Sequence, residues 1–226
     1  MVWVLAGFMG CGKSSIGRLV ARMAADPKPL LPPESFPSSP ENGSAGKAPD
    51  GHSFPQEYPA GRKSGEILPG QLAFIDLDEE IVRRTGRSIP EIFADGGEAA
   101  FRAVERTTLS ELLAEAGQLL ISLGGGTLTD AESRALVREH CRCIYLRASL
   151  ETLAANLRWE GEGASRPMLA GADPKAPADS PDSLEERIST LMARRAPIYE
   201  STADVIIDID GLGYEDIARR ILSLIA

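Results

Sequence analysis

A glycine-rich segment near the N-terminus has the residue types and spacing of a phosphate-binding loop. It runs from Gly7 to Ser14 as GFMGCGKS, between an apolar run and a segment of helical pattern. This satisfies the pattern G-x-x-x-x-G-K-[ST] in the context that the pattern requires. Glycines allow a tight turn whose backbone N–H groups point at phosphate oxygens, and the following helix adds the positive end of its dipole. We therefore expect Lys13 to bridge the β- and γ-phosphates of a nucleotide and Ser14 to ligate Mg²⁺.

The nucleotide contacts expected from this segment come from six consecutive residues: Gly10, Cys11, Gly12, Lys13, Ser14 and Ser15. The segment predicts nucleotide binding but leaves the reaction open, because GTPases, motor ATPases and small-molecule kinases share it on related folds. The sequence contains no N-K-x-D guanine motif, which argues against a GTPase.

Acidic residues that could serve a metal ion follow two other apolar runs. Proteins with a phosphate-binding loop usually place such an acid after a second strand, but the run Leu119–Leu123 is followed by glycines. The four candidates are Asp76, Asp78, Asp208 and Asp210. We favour Asp76 and Asp78, because sequential strands often lie side by side and ligands gather at the carboxyl ends of strands near the first one.

The spacing of Asp76 and Asp78 predicts two roles. In an extended segment residues i and i+2 lie on one side, so one carboxylate could serve Mg²⁺ while the other meets a substrate hydroxyl. Either residue could instead cap a following helix, since acids favour helix N-termini. The sequence leaves both interpretations open.

Five apolar runs of strand length alternate with helical patterns along the chain. They are Val2–Ala6, Leu72–Ile75, Leu119–Leu123, Cys143–Leu146 and Val205–Ile209. Such an alternation is typical of a parallel sheet that helices cover on both faces. Ser88 and Ser183 each precede a Glu by three residues, which predicts a helix start at each serine. The sequence therefore predicts one α/β domain over residues 1–226, with a doubly wound, parallel five-stranded sheet.

The composition limits the classes of partner. The net charge of −9 disfavours a broad surface for nucleic acid or an anionic membrane. Cys11, Cys141 and Cys143 lack the spacing of a metal site or a disulfide framework, and free thiols fit a reducing compartment. The apolar run before Gly7 is too short for a signal peptide or a membrane span. We expect a cytoplasmic protein and, with no apolar interface stripe apparent, a monomer.

Two segments interrupt the alternation of strands and helices. Residues 26–70 are rich in Pro, Ser, Gly and charge, and such a composition cannot bury enough apolar surface to offset its ordering entropy. We expect a flexible insertion there, which the domain can tolerate because the entropy of closing a loop grows slowly with its length. Residues 173–182, with three prolines, suggest a second and smaller extension.

Several segments together resemble the shikimate kinase family, and the resemblance extends over most of the chain outside the two insertions. They read GFMGCGKSSIGRLVA, FIDLDEEIVRRTGRSIPEIFADGGEAAFRAVE, ISLGGGTLTD, SRPMLAG and MARRAPIYE. The resemblance implies a P-loop NTPase fold like that of nucleoside-monophosphate kinases. It also implies a substrate-binding helical subregion at residues 77–117 and a lid at residues 159–182. The implied substrates are ATP, with Mg²⁺, and shikimate.

The family pattern also implies how shikimate would be held. Resemblance assigns Asp76 to Mg²⁺, usually through water, and Asp78 to the shikimate hydroxyls near the transferring phosphate. The implied carboxylate contacts are Arg102, Arg195 and the turn Gly124, Gly125 and Gly126. A planar guanidinium can grip a carboxylate through two parallel hydrogen bonds, and backbone N–H groups can complete the shell.

Further side chains belong to the same expected site. Phe93 and Phe101 would supply apolar walls, although they could equally be core residues. Glu105 would orient Arg102, or it would be only a solvated i, i+3 partner of that arginine. Arg158 resembles the family's adenine-stacking arginine. Arg166 resembles the lid arginine that closes over the phosphates, where it would stabilise charge on the transferring group.

The expected reaction is phosphorylation of the shikimate 3-hydroxyl by ATP, with Lys13, Asp78 and Arg166 as the catalytic residues. Catalysis would depend on positioning and electrostatics, because a loose transition state offers little covalent chemistry to the protein. Two alternatives remain open from the residues alone. One is another sugar-acid or hydroxy-acid kinase on the same fold, and the other is a nucleotide-binding switch or pseudoenzyme.

Overall fold

A computed structural model describes residues 1–25, 72–115, 117–159 and 183–225 of the chain. Its strands are β1 (Val2–Ala6), β2 (Leu72–Asp76), β3 (Gln118–Ser122), β4 (Cys141–Arg147) and β5 (Val205–Asp208). Its helices are α1 (Lys13–Ala25), α2 (Leu77–Thr85), α3 (Ile89–Ala114), α4 (Ala131–His140), α5 (Leu150–Trp159), α6 (Leu184–Thr202) and α7 (Tyr214–Ile225). The expected insertion at 26–70 falls outside these residues, as does the expected lid at 159–182 apart from Trp159.

The strands form one parallel sheet in the order β2-β3-β1-β4-β5. Helices flank this sheet, as the alternation of apolar runs and helical patterns predicted. The three interior strands are the ones with the longest fully buried apolar stretches, such as Leu119, Leu120 and Ile121 of β3. Every residue of β2 is only partly buried, which suits an edge position. The predicted α/β class and five-stranded parallel sheet are therefore confirmed.

The position of β2 corrects one step of the sequence argument. We expected the strand that ends at Asp76 to lie next to β1, but β3 lies between them. Ser122 at the end of β3 pairs with Leu5 of β1 on one side and with Asp76 of β2 on the other. The apolar β3 takes the interior place because both of its faces can be buried. Asp76 nevertheless ends its strand at the same edge of the sheet as the phosphate-binding loop.

Helix boundaries follow the predicted capping residues. Ser88 and Glu91 form a reciprocal capping box at the start of α3, and Ser183 accepts a hydrogen bond from the Glu186 N–H at the start of α6. Helix α3 is kinked at Gly97, where φ is 66°, a value that glycine adopts without strain. Of the helices in the described ranges, none is long and apolar enough to cross a membrane.

Candidate active site

The glycine-rich loop connects β1 to the first turn of α1. Gly10 and Gly12 both have φ near 80°, so the loop needs residues that tolerate the left-handed region. Helix α1 begins at Lys13 and has no acidic residue in its first turn. The first N–H groups of a helix have no intrahelical acceptor, so this end is open to an anion. The local structure is thus the one that the motif predicted.

The Lys13 ammonium lies over the loop and is largely buried. Its Nζ atom donates hydrogen bonds to the carbonyl oxygens of Gly7 (2.9 Å) and Phe8 (3.0 Å), and it lies 3.8 Å from the Cys11 sulfur. The side chain is therefore held at the loop by neutral acceptors, and it has no carboxylate partner among the described residues.

Helices from the second half of the chain support the loop. The Asn156 side chain of α5 donates a hydrogen bond to the Gly10 carbonyl at 2.8 Å. A Cβ atom at Gly10 would come within 2.9 Å of Leu157, and one at Gly12 would come within 3.1 Å of the Tyr214 hydroxyl. Sequence reasoning missed these supports, because nothing local to α5 or α7 shows which loop they contact.

Asp76 joins the loop to α2. The Ser14 hydroxyl donates a hydrogen bond to Oδ2 of Asp76, and Oδ1 of Asp76 accepts from the backbone N–H groups of Asp78 (3.0 Å) and Glu79 (3.3 Å). Asp76 is thus the N-cap of α2, and Asp78 lies in the first helical turn. The expectation that both lie in an extended segment is wrong, because the helix begins directly after the strand. Asp76 caps a helix, as one of the two interpretations proposed, and it also lies at the phosphate-binding loop, as expected.

The other two acidic candidates lie at the opposite side of the sheet. The Asp208 carboxylate pairs with Arg147 through hydrogen bonds of 2.5 and 2.8 Å. Asp210 accepts hydrogen bonds from the backbone N–H and the hydroxyl of Ser149. Both carboxylates are therefore engaged near β4 and β5, away from Ser14.

A metal ion beside Ser14 would find hard oxygen ligands. The Ser14 hydroxyl and the Asp76 carboxylate are in direct contact, and the Ser122 hydroxyl lies 3.5 Å from that of Ser14. Within the described ranges, no three His, Cys, Asp or Glu side chains group as a metal cluster. A site with few protein oxygens suits Mg²⁺, which keeps several waters and takes the rest of its ligands from phosphates.

In the turn Gly124–Gly126, neighbouring groups leave no space for a side chain at Gly124 or at Gly126. A Cβ atom at Gly124 would lie 2.9 Å from Oε1 of Glu105 and 3.2 Å from Oδ1 of Asp78. A Cβ atom at Gly126 would lie only 2.1 Å from the Arg102 guanidinium. The glycines therefore let carboxylate and guanidinium groups approach the backbone of the turn.

Arg102 and Glu105 form a buried ion pair at one side of the turn. Glu105 is fully buried, and its two oxygens accept hydrogen bonds from Arg102 (2.5 Å) and the Thr127 hydroxyl (2.6 Å). Burial alone would lower the pKa of Arg102, but the Glu105 and Glu98 carboxylates outweigh it and raise the pKa, so the guanidinium keeps its charge. The buried Nε atom of Arg102 has no hydrogen-bond partner among the described residues. The solvated interpretation of Glu105 is wrong, because the side chain lies beneath the turn.

Arg195 approaches the same turn from α6. It is 4% exposed, its Nη1 atom lies 3.3 Å from the Gly125 carbonyl oxygen, and its guanidinium lies 5.7 Å from the centre of the Phe8 ring. The Tyr199 hydroxyl, one helical turn later, also donates to the Gly125 carbonyl. Sequence reasoning assigned no role to Tyr199, although it lies in the quoted segment MARRAPIYE.

The two phenylalanines lie together on α3. Phe93 and Phe101 stack with ring centres 4.7 Å apart, and the Arg102 guanidinium lies 5.2 Å from the centre of the Phe101 ring. Phe101 is buried and Phe93 is partly exposed. Phe101 is therefore a core residue as well as a neighbour of the guanidinium.

A pocket of about 220 Å³ lies where these groups meet. Its lining joins the phosphate-binding loop, both acids of α2 and the glycine turn: Met9, Gly10, Gly12, Lys13, Ser14, Ser15, Asp76, Asp78, Ser122, Leu123, Gly124 and Gly125. Arg102 and Arg195 stand behind this lining, in contact with the turn. The arrangement can hold phosphate at one side and an anionic molecule with hydroxyl groups at the other.

Arg158 does not line the pocket. Arg158, in the last turn of α5, donates a hydrogen bond to Glu185 in the first turn of α6. Arg166 lies outside the described residues, so its expected place over the phosphates stays a prediction.

The sequence of this chain also matches known proteins. The profile of the family described as Shikimate kinase matches residues 65–226. The Shikimate kinase of Chlorobium chlorochromatii is 38% identical over 163 residues, which are 70% of this chain and 82% of that protein. The Shikimate kinase of Rhodococcus erythropolis is 36% identical over 163 residues, which are 72% and 86% of the two chains.

Solved structures share the fold. Shikimate kinase from Acinetobacter baumannii in complex with shikimate aligns with a TM-score of 0.66 and 24% identity, covering 99% of this chain and 92% of that one. Shikimate kinase from Bacteroides thetaiotaomicron aligns with a TM-score of 0.67 and 24% identity, covering 99% and 97%. The family profile spans residues 65–226, and the two relatives, at 38% and 36% identity, align with 70% and 72% of this chain. The chain therefore belongs to the shikimate kinase family.

Proposed function

We propose that this chain transfers the γ-phosphate of ATP to the 3-hydroxyl of shikimate, giving shikimate 3-phosphate and ADP. One observation carries the proposal: the pocket beside the phosphate-binding loop shares its wall with a glycine turn that two arginines contact. The relatives named Shikimate kinase and the Acinetobacter baumannii complex with shikimate support this choice of acceptor.

The nucleotide side of the proposal uses the loop and the start of α1. Gly10, Cys11, Gly12, Lys13, Ser14 and Ser15 bind the phosphates. Lys13 exchanges the Gly7 and Phe8 carbonyls for phosphate oxygens and neutralises charge as it develops. Such an exchange is favourable because an ammonium binds a charged oxygen more strongly than a neutral carbonyl.

Mg²⁺ belongs to the same proposal. Ser14 and Asp76 would hold it, since their oxygens already touch and Asp76 has no basic partner within the described part of the chain. When bound, the ion neutralises charge on the phosphate oxygens.

The acceptor side uses three groups of residues. The shikimate carboxylate is bound by Arg102, Arg195 and the backbone of Gly124, Gly125 and Gly126. Asp78, against the turn, orients the 3-hydroxyl and accepts its proton as that oxygen attacks the γ-phosphorus and the bond to the β-phosphate oxygen breaks. Phe93 and Phe101 supply the apolar wall, and Glu105 orients Arg102 through their buried hydrogen bond.

The proposal has parts that rest on the family resemblance. Arg166 is assigned to the transferring phosphate, Arg158 to the adenine, residues 77–117 to substrate binding and residues 159–182 to a lid. A cytoplasmic monomer is proposed from the sequence, because its three cysteines fit a reducing compartment and no apolar interface stripe is apparent.

The test is a coupled assay of ADP release with shikimate, with gluconate as a second hydroxy acid, and with neither. We expect release that depends on shikimate, and a kcat at least about a hundredfold lower in Lys13→Met. A thermal unfolding scan of both proteins separates lost chemistry from a lost fold. Release that is independent of shikimate, or faster with gluconate, would overturn the proposed acceptor. Full activity in a folded Lys13→Met would overturn the role of Lys13.

A further inference from the structure

The carbonyl oxygen of Gly125 receives two hydrogen bonds from one helix. The Tyr199 hydroxyl donates to it, and Nη1 of Arg195 donates to it from 3.3 Å. Arg195 and Tyr199 stand four residues apart on α6, so they lie on the same face of that helix. The Gly125 carbonyl therefore has two donors, and Arg195 would be the remaining one if the Tyr199 hydroxyl were removed.

The direction of this carbonyl determines the direction of a backbone donor. In a planar trans peptide the C=O of Gly125 and the N–H of Gly126 point in opposite directions. Among the described residues, the N–H groups of Gly124, Gly125 and Gly126 have no backbone acceptor. Glycine imposes few limits on its own backbone, so the turn depends on outside contacts to keep these donors aimed.

We propose that Tyr199 is a positioning residue for carboxylate recognition, which aims the Gly126 N–H and leaves Arg195 available to the substrate. This inference rests on the proposed function, and it adds to it a residue that touches neither substrate nor nucleotide. Without the hydroxyl, Arg195 would be the remaining donor to Gly125 and would bind the substrate carboxylate less well.

The surroundings of Tyr199 suit this role. The side chain is 1% exposed, and burial raises the pKa of its hydroxyl, which therefore stays protonated as a donor. Its ring packs at 5.2 Å from that of Tyr145, which is equally buried. The Tyr145 hydroxyl, in contrast, has no hydrogen-bond partner among the described residues. The pair thus offers a matched control, because both hydroxyls are buried but only one contacts the turn.

The experiment compares Tyr199→Phe with Tyr145→Phe in the full chain. For Tyr199→Phe we expect the KM and the Kd for shikimate to rise about three- to tenfold, as for one lost hydrogen bond. We expect the KM for ATP to stay within about twofold of the wild-type value, and kcat to fall by less than the KM rises. Tyr145→Phe should leave all four quantities within about twofold.

A second measurement tests the link to the carboxylate. Titration with shikimate methyl ester, which lacks the charge, should give the wild type and Tyr199→Phe the same affinity within about twofold. An unchanged Kd for shikimate in Tyr199→Phe overturns the inference, as does an equal loss of affinity for ATP or for the ester. A wild-type protein without shikimate-dependent ADP release overturns the proposed function instead, so the two failures can be told apart.

Discussion

The Ser14 hydroxyl donates a hydrogen bond to the Asp76 carboxylate, which links the first turn of α1 to the N-terminus of α2. The two residues are 62 positions apart in sequence. Asp76 also caps α2 through the N–H groups of Asp78 and Glu79. One carboxylate therefore has two roles, a structural one at Oδ1 and a proposed metal-binding one at Oδ2.

Replacing Asp76 with Asn should separate these two roles. Asn caps helices about as well as Asp, so we expect the midpoint of thermal unfolding to change little. The amide lacks the negative charge, so the Mg²⁺ concentration for half-maximal activity should rise about tenfold or more. The measurement is ADP release during an Mg²⁺ titration at fixed ATP.

Asp130→Asn is the matched control for this change. Asp130 caps α4 by accepting from the Ser133 N–H at 2.8 Å, and it does not line the pocket. Its replacement should leave the Mg²⁺ dependence unchanged. If Asp76→Asn keeps the wild-type Mg²⁺ dependence, Asp76 is a cap alone.

Replacing Arg102 with Ala should affect both stability and binding. The fully buried Glu105 would lose its charged partner, and breaking such a pair costs about 3 kcal/mol. The KM for shikimate should rise ten- to a thousandfold, about 1.4 to 4 kcal/mol. Unfolding by urea and initial rates measure the two effects separately.

The double variant Arg102→Ala/Glu105→Gln should separate these effects. The neutral amide removes the uncompensated charge and can still accept from Thr127, so most of the lost stability should return. The high KM for shikimate should remain, because no guanidinium is restored. Recovery of the wild-type KM in the double variant would mean that Arg102 acts only through the fold.

Local patterns predicted the elements well but could not order them. The apolar runs fell within a few residues of the observed strands, because a buried strand needs apolar side chains on both faces whatever its neighbours are. The place of β3 between β1 and β2 depends on competition among runs for interior positions. Such a competition involves the whole chain, so β2 does not neighbour β1 although the two strands follow each other in sequence. Asp76 still contacts Ser14, in agreement with the predicted choice of acid.

The candidate site, like the fold, has local features that the sequence predicts and long-range contacts that it does not. The phosphate-binding loop is recognisable because its glycines and the following helix end are contiguous in sequence. Contacts across the fold leave no such pattern: Asn156 reaches the Gly10 carbonyl over 146 positions, and Tyr199 reaches Gly125 over 74. The extended geometry expected for Asp78 failed for a local reason, since Asp76 caps a helix that begins one residue earlier than Asp78.

Glu80 should contribute stability that depends on pH. It is 5% exposed, and Arg83 and Arg84 of the same helix donate to it. Arg84 also pairs with Glu111 of α3 and with Glu115, the residue that follows α3. The hydrogen bonds from Arg83 outweigh the effect of burial and, with Arg84, hold the pKa of Glu80 below its usual value. A lowered pKa in the folded state means stability that is present above the unfolded pKa, about 4.3, and is lost as the pH falls through the folded value.

The measurement is the free energy of unfolding of the wild type and Glu80→Gln between about pH 3 and 7. The stability advantage of the wild type should be constant above about pH 5 and shrink below about pH 4.3. Glu151→Gln, at an exposed position in the first turn of α5, is the control and should show a much smaller difference. An advantage that is the same at pH 3 and pH 7 would contradict the role of the Glu80 charge.

Replacing Arg158 and replacing Glu185 should change the KM for ATP in opposite directions. If Arg158 meets the adenine, it must leave Glu185, which is 16% exposed and pairs with it. Arg158→Ala should then raise the KM for ATP about three- to tenfold, the value of a cation–π contact. Glu185→Gln should lower that KM, by at most about fivefold, because the arginine no longer has to break an ion pair. Initial rates at saturating shikimate give both values. A pair that only joins α5 to α6 would show a different result: the two variants would lose similar small amounts of stability, and neither would change the KM for ATP.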